Sequence, residues 1–134
     1  MKGLNESGTF EKLTVFVAEE CARRGIQGTF VAVDLRTTES ASNIRWALVG
    51  MDSPLKLNRP GKQDANSLIT GLQKIGMVIA HRRNTGGETN IRGEVPWMGG
   101  HISQLGSFGY AFTGAEQEVD DELMRMVESY HLSL

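Results

Sequence analysis

The run Phe108-Gly109-Tyr110-Ala111-Phe112-Thr113-Gly114 passes directly into Ala115-Glu116 and the acidic stretch Glu118-Val119-Asp120-Asp121-Glu122-Leu123. The first part, aromatic and punctuated by glycine, has the pattern of a strand. The second has the pattern of an amphipathic helix, with negative charge where the positive end of the helix dipole favours it. Thr113 and Glu116 stand at capping-box spacing, which predicts that their side chains satisfy backbone N–H groups left over by the first helical turn. A strand delivered straight into a helix is a tight, directional join, and it points to a layered α/β architecture.

At 134 residues the chain has the length of one domain, expected to span 1–134. A net charge of −2 removes the overall basicity expected of a nucleic-acid binder, and no polybasic run points to anionic lipid. The single cysteine, Cys21, excludes an internal disulfide and a Cys-rich zinc site. No apolar run approaches the roughly 18 residues of a membrane span. Met1-Lys2-Gly3-Leu4-Asn5-Glu6 lacks a hydrophobic signal region, so a cytoplasmic protein is expected.

Residues 9–24 read as a helix, because Phe10, Leu13, Val17 and Cys21 form one apolar stripe and Gly25 supplies a stop. Residues 28–35 read as a strand covered on both faces, with Val31, Val33 and Leu35 on one and Phe30 and Ala32 on the other. Residues 43–49 form a second strand, antiparallel to the first because the link is short. A long helix is expected over 62–82. Ala65, Leu68, Leu72, Ile75 and Ile79 keep its period past Gly76, where the alternative is a break and a strand at 77–80. Short strands are expected at 94–98 and 101–105 around a Gly99-Gly100 turn, then a strand at 107–113. The last helix is expected over 116–131, with Val119, Leu123, Met126, Val127 and Tyr130 on its apolar face. The order α-β-β-α-β-β-β-α predicts an α/β (α+β) domain. A sheet of about five mainly antiparallel strands would have helices packed against it.

Four places along the chain carry a family likeness. Phe30-Val31-Ala32-Val33-Asp34 is similar to a first strand ending in V-V-D. Met51-Asp52-Ser53-Pro54-Leu55 is similar to M-D-G-x-x-L. The stretch from Lys74 to Thr85 is similar to a helix end of the form K-A-x-T-A-x-x-F-x-x-x-T. Glu94-Val95-Pro96-Trp97, then Phe112-Thr113-Gly114 with Asp120-Asp121, are similar to G-V-P-I and to V-S-G before an acidic helix. In this order the chain resembles the GlcG/HbpS family, the haem-binding-protein-like domain also found at the C-terminal end of some corrinoid adenosyltransferases. The chain departs from the family by some ten extra residues around Lys56 to Leu68. It also carries the larger Met77, Val78 and Ile79 where the family keeps small residues. The resemblance implies a profilin-like domain, a homo-oligomer, and haem or another tetrapyrrole as candidate ligand.

His101, after Trp97-Met98-Gly99-Gly100, is either an axial haem ligand or a turn histidine. His81, Arg82 and Arg83, with Lys74, either form a cationic pocket for carboxylates such as propionates or simply complement a helix C-terminus. His131, near the chain's end, carries no chemistry in this reading. No two histidines share a helix turn, so local metal-ligand spacing is absent, and no metal site is expected. Cys21 reads as a buried structural thiol, the acidic run at 116–122 as a solvated helix start, and Asp121 with Arg125 as a helix ion pair. The glycine pairs match no phosphate-binding fingerprint, and no nucleophile–base pair stands out, so no catalytic residue is assigned. Two readings remain. One is a non-catalytic small-molecule-binding module using Lys74, His81, Arg82, Arg83, Trp97 and His101. The other is an oligomeric interaction protein without haem. An enzyme of unknown reaction is a weaker third.

Overall fold

A computed structural model describes residues 1–36, 43–55 and 66–134. The elements are α1 (Thr9–Arg24), β1 (Gly28–Asp34), β2 (Ile44–Val49), α2 (Ser67–His81), β3 (Gly100–Ile102), β4 (Phe108–Thr113) and α3 (Gln117–Ser133). The four strands form one antiparallel sheet in the order β2-β1-β4-β3. The α+β class is the expected one, with four strands among the described residues in place of about five. Of the expected helix over 62–82, residues 62–65 lie outside the described residues. No helix among the described residues is long and apolar enough to cross a membrane.

The two-sided reading of β1 organises the core. Phe30 and Ala32 join Phe10, Leu13, Val17 and Cys21 of α1 and Leu123, Met124 and Val127 of α3 on one face. Val31, Val33 and Leu35 meet Ile75 and Val78 of α2 on the other. The stripe expected on α1 is the buried one. Gly25 ends that helix in the left-handed region, where a glycine costs least, and Ile26 N–H returns to Cys21 C=O at 3.0 Å. Burial pushes the Cys21 thiol up to about 12, which leaves it inert.

α2 continues through Gly76 to His81, as the period requires, but it docks on a different face from the expected stripe. Ser67, Gly71, Lys74, Ile75 and Val78 are buried, while Ile69 and Leu72 are exposed. Apolar residues surround this helix, so period alone does not choose its inner side. Close approach does: a Cβ on Gly71 would lie 3.1 Å from Val31 Cγ2. α3 is likewise rotated, burying Asp120, Met124 and His131 beside Leu123 and Val127.

The strand expected at 94–98 does not form. The outer edge of β3 is instead occupied by the residues just after α2. Thr85 N–H donates to Gly100 C=O at 2.9 Å, Gly100 N–H to Thr85 Oγ1 at 2.9 Å, and Ile102 N–H to Asn84 Oδ1 at 2.8 Å. With that edge taken, 94–98 has no ladder to join, and Pro96 has no N–H to give one. β3 stops at Ile102 because Ser103 Oγ captures Ser107 N–H and Phe108 N–H, closing a turn toward β4.

The expected capping box is also absent. Glu116 is the N-cap and makes no side-chain cap bond, and Thr113 is the last residue of β4. The Asp120 carboxylate captures the nearby Ala115 N–H at 3.0 Å, from one turn into the helix. Thr113 Oγ1 is buried with no hydrogen-bond partner. Asp121 and Arg125 do pair, at 3.0 Å.

His131 has a structural role that its position near the chain's end did not suggest. It is fully buried, accepts from Tyr110 O–H at Nδ1 across 2.6 Å, and donates from Nε2 to Lys2 C=O across 2.7 Å. A carbonyl only accepts, so the ring proton sits on Nε2. Burial chiefly holds its pKa below the ordinary histidine value. The unfolded chain therefore takes up this proton more readily than the folded one. The stabilisation is complete above about pH 6.5 and is lost as pH falls from there toward the folded-state pKa.

Two outcomes are expected. Thr113→Val removes an orphaned hydroxyl and keeps the shape, so melting temperature holds or rises, whereas a loss of more than about 1 kcal/mol contradicts this reading. Melting temperature falls between pH 7.5 and 5.5 more steeply in the parent than in His131→Gln; parallel profiles for the two would remove His131 as the sensor.

Candidate functional site: the cleft at the end of α2

α2 ends on a non-glycine residue in the left-handed region. Arg82 has φ 52°, and its N–H returns to Val78 C=O at 2.9 Å. The chain then leaves on a long excursion, 83–99, before entering β3. This loop is braced internally. Gly87 N–H donates to Pro96 C=O at 3.0 Å, and Glu94 N–H to Ile91 C=O at 3.1 Å. Gly86 and Gly87 take positive φ values of 138° and 103°, and a Cβ on Gly86 would meet Met98 Cγ at 3.0 Å. Glycine is needed there on both counts.

Between the last turns of α2 and this loop lies a cleft of about 240 Å³. Met77 and His81 line it from the helix, and Arg83, Asn84, Ile91 and Glu94 are among the loop residues that complete it. His81 Nε2 is in close contact with Glu94 Oε1. Thr89 Oγ1 donates to Glu94 Oε2 at 2.8 Å, and Ile91 N–H donates to Thr89 Oγ1 at 3.2 Å. The hydrogen bond from His81, then that from Thr89, hold the Glu94 carboxyl below the usual carboxylate range. An ionised carboxylate only accepts, so Nε2 carries a proton, and in the neutral imidazole the lone pair is on Nδ1.

The sequence candidates are distributed as follows. His81 and Arg83 line the cleft together. Arg82 caps the helix and is exposed beside it. Lys74 is 1% exposed, and its ammonium reaches Phe112 C=O at 2.8 Å and Asp120 Oδ2 at 3.3 Å, so it is part of the interior. Trp97 lies on the loop, half exposed, and is not among the cleft's lining residues. His101 is on the opposite side of the sheet. It opposes Tyr110 on β4, and its Nε2 contacts Glu128 Oε1 of α3 at 2.7 Å. Glu128 Oε2 also accepts from Gln104 N–H at 2.5 Å. The two histidines therefore do not share a site. Glu94, Thr89, Asn84 and Ile91 are the site residues that sequence reasoning missed. Only a folded loop brings them to the helix end, and Glu94 stands thirteen positions after its imidazole partner. Among the described residues no three His, Cys, Asp or Glu side chains are placed to hold a metal ion.

No family model matches the sequence, and no curated protein matches it significantly. Solved structures do. The Klebsiella pneumoniae protein ORFY, described with the DUF336 family model, superposes with a TM-score of 0.66 at 14% identity, over 92% of this chain and 88% of its own. A structure titled as the PduOC:Heme complex superposes with a TM-score of 0.64 at 17% identity, over 90% of this chain and 89% of its own. The domain built by the strand–helix joins described above thus has the GlcG/HbpS-like fold.

Proposed function

We propose that this domain is a small-molecule-binding module, with a haem-type tetrapyrrole as the ligand class and the α2–loop cleft as the entry point. The observation that carries the reading is His81, an imidazole with its proton committed to Glu94, on the wall of a cleft that also holds Arg83. The residues fit the edge of such a group. His81 offers a nitrogen donor, Arg83 a cation suited to a carboxylate, and Met77 and Ile91 apolar contact. At about 240 Å³ the cleft is below the roughly 300–1,000 Å³ usual for drug-sized ligands, so a macrocycle would extend past its mouth. That PduOC was solved as a heme complex supports the ligand class. Haem bound here would supply an iron open to axial donation. The chain's own part is to present His81, hold its tautomer and place a guanidinium at the rim. Binding without turnover is the reading, and a free buried Cys21 suits a cytoplasmic setting.

A second reading, an oligomeric interaction module, draws on a different observation. Trp46 on the edge strand β2, and Ile69 and Leu72 on α2, are exposed large apolar side chains. A second copy covering them would give the homo-oligomer that the resemblance implies.

Haem titration followed by absorbance decides between them. The first reading expects a saturable Soret shift near one equivalent, abolished in His81→Ala and kept in His101→Ala. Non-saturable uptake, or a shift that survives the His81 substitution, would overturn it, and light scattering on the same sample would then test the second.

A further inference from the structure

We infer that Glu94, itself held by Thr89, is a positioning residue that makes His81 a nitrogen donor through Nδ1. The inference takes its occupant, a Lewis-acidic metal centre carried by a small molecule, from the function proposed above; its wiring stands on the geometry alone.

Among the described residues, two histidines are wired to carboxylates. His81 is paired to Glu94 and His101 to Glu128. In each, Nε2–H donates to the carboxylate, and in the neutral ring Nδ1 keeps the lone pair. Their surroundings differ. The His101 side chain is 7% exposed, and its Nδ1 is buried without a partner, closed off by the sheet and α3. The His81 side chain is 29% exposed and forms part of the cleft wall. Only His81 therefore offers its lone pair to an incoming group.

The carboxylate is fixed as well. Thr89 O–H occupies Glu94 Oε2, and Ile91 N–H occupies Thr89 Oγ1, so the donors Ile91 N–H through Thr89 O–H on one side and His81 N–H on the other converge on Glu94. Each member donates to the next until the carboxylate, which receives from both sides. A ring held this way cannot exchange tautomers without breaking its hydrogen bond to Glu94. Carboxylates placed behind ligand imidazoles raise their donor strength, and losing one typically costs 10- to 100-fold in metal affinity. Glu94 thus sets both which nitrogen is available and how strongly it donates.

Nitrogen-15 spectra of histidine side chains in the ligand-free protein test the wiring directly. At pH 8, His81 is expected as the Nε2–H form, and Glu94→Gln is expected to give a mixture of the two tautomers, because a glutamine amide can donate as well as accept. His81 found as Nδ1–H in the parent overturns the inference whether or not haem binds. In the haem complex, Glu94→Gln is expected to weaken affinity roughly 10- to 100-fold, lower the ferrous iron–histidine stretching frequency and raise the midpoint potential, with Glu94→Asp restoring part of each. Unchanged frequency and potential in Glu94→Gln, alongside binding that still needs His81, also overturn it. Absence of haem binding by the parent would count against the ligand class, and the tautomer spectra would still decide the role of Glu94.

Discussion

A buried ion pair joins the two helical layers. Lys74 comes from α2, on one face of the sheet, and Asp120 from α3, on the other; they are 1% and 2% exposed. The ammonium lies 3.3 Å from Asp120 Oδ2 and donates to Phe112 C=O at 2.8 Å. The second carboxylate oxygen takes Ala115 N–H at 3.0 Å. Gly99 makes room for the pair, since a Cβ there would stand 2.7 Å from Nζ and 2.9 Å from Asp120 Cβ. Two buried charges are tolerated because each is paired and further hydrogen-bonded. The arrangement fixes α2 in rotation and along its axis, and His81 follows seven residues later, about two turns on. Where the cleft opens is thus set by an interaction inside the protein.

Much of the frame was legible because it rests on period and punctuation. The stripe Phe10, Leu13, Val17, Cys21 and the glycine at 25 define α1, and β1 reads as two-sided because it is. The continuation of α2 through Gly76 follows from its apolar period. What misled is equally physical. Ser67 and Gly71, not Leu72, face the sheet, because small side chains allow the closest approach and an apolar helix leaves several faces open. Thr113 has the spacing of a cap, yet β4 continues through it, and a backbone claimed by the sheet is not free to start a helix. The expected strand at 94–98 failed for want of an edge, which Asn84 and Thr85 had already taken.

The candidate site was legible in part. His81 and Arg83 stood out as charged or titratable groups at a helix end, and both line the cleft. Lys74 looked the same by sequence, but its side chain runs inward to Asp120, a partner 46 positions away that no local pattern reveals. His101 was grouped with Trp97 and Met98 by adjacency, whereas strand alternation sends it to the α3 face. Thr89 belongs to a polar loop whose composition suggests solvent, and Glu94 opens the stretch 94–98 that reads as a strand. Their role emerges from the cross-brace between Gly87 and Pro96, which folds the loop back toward α2.

The central claim is that the Lys74–Asp120 pair holds α2, and hence the cleft, in place. A double-mutant cycle of Lys74→Met, Asp120→Leu and the combined variant measures it by denaturant unfolding. Each single change strands a buried charge and should cost about 3–5 kcal/mol. The combined change leaves no orphan charge, so its cost should be far below the sum of the singles, a coupling of more than about 2 kcal/mol. Single costs below about 1 kcal/mol, or strictly additive losses, would show that the layers are held together by something else.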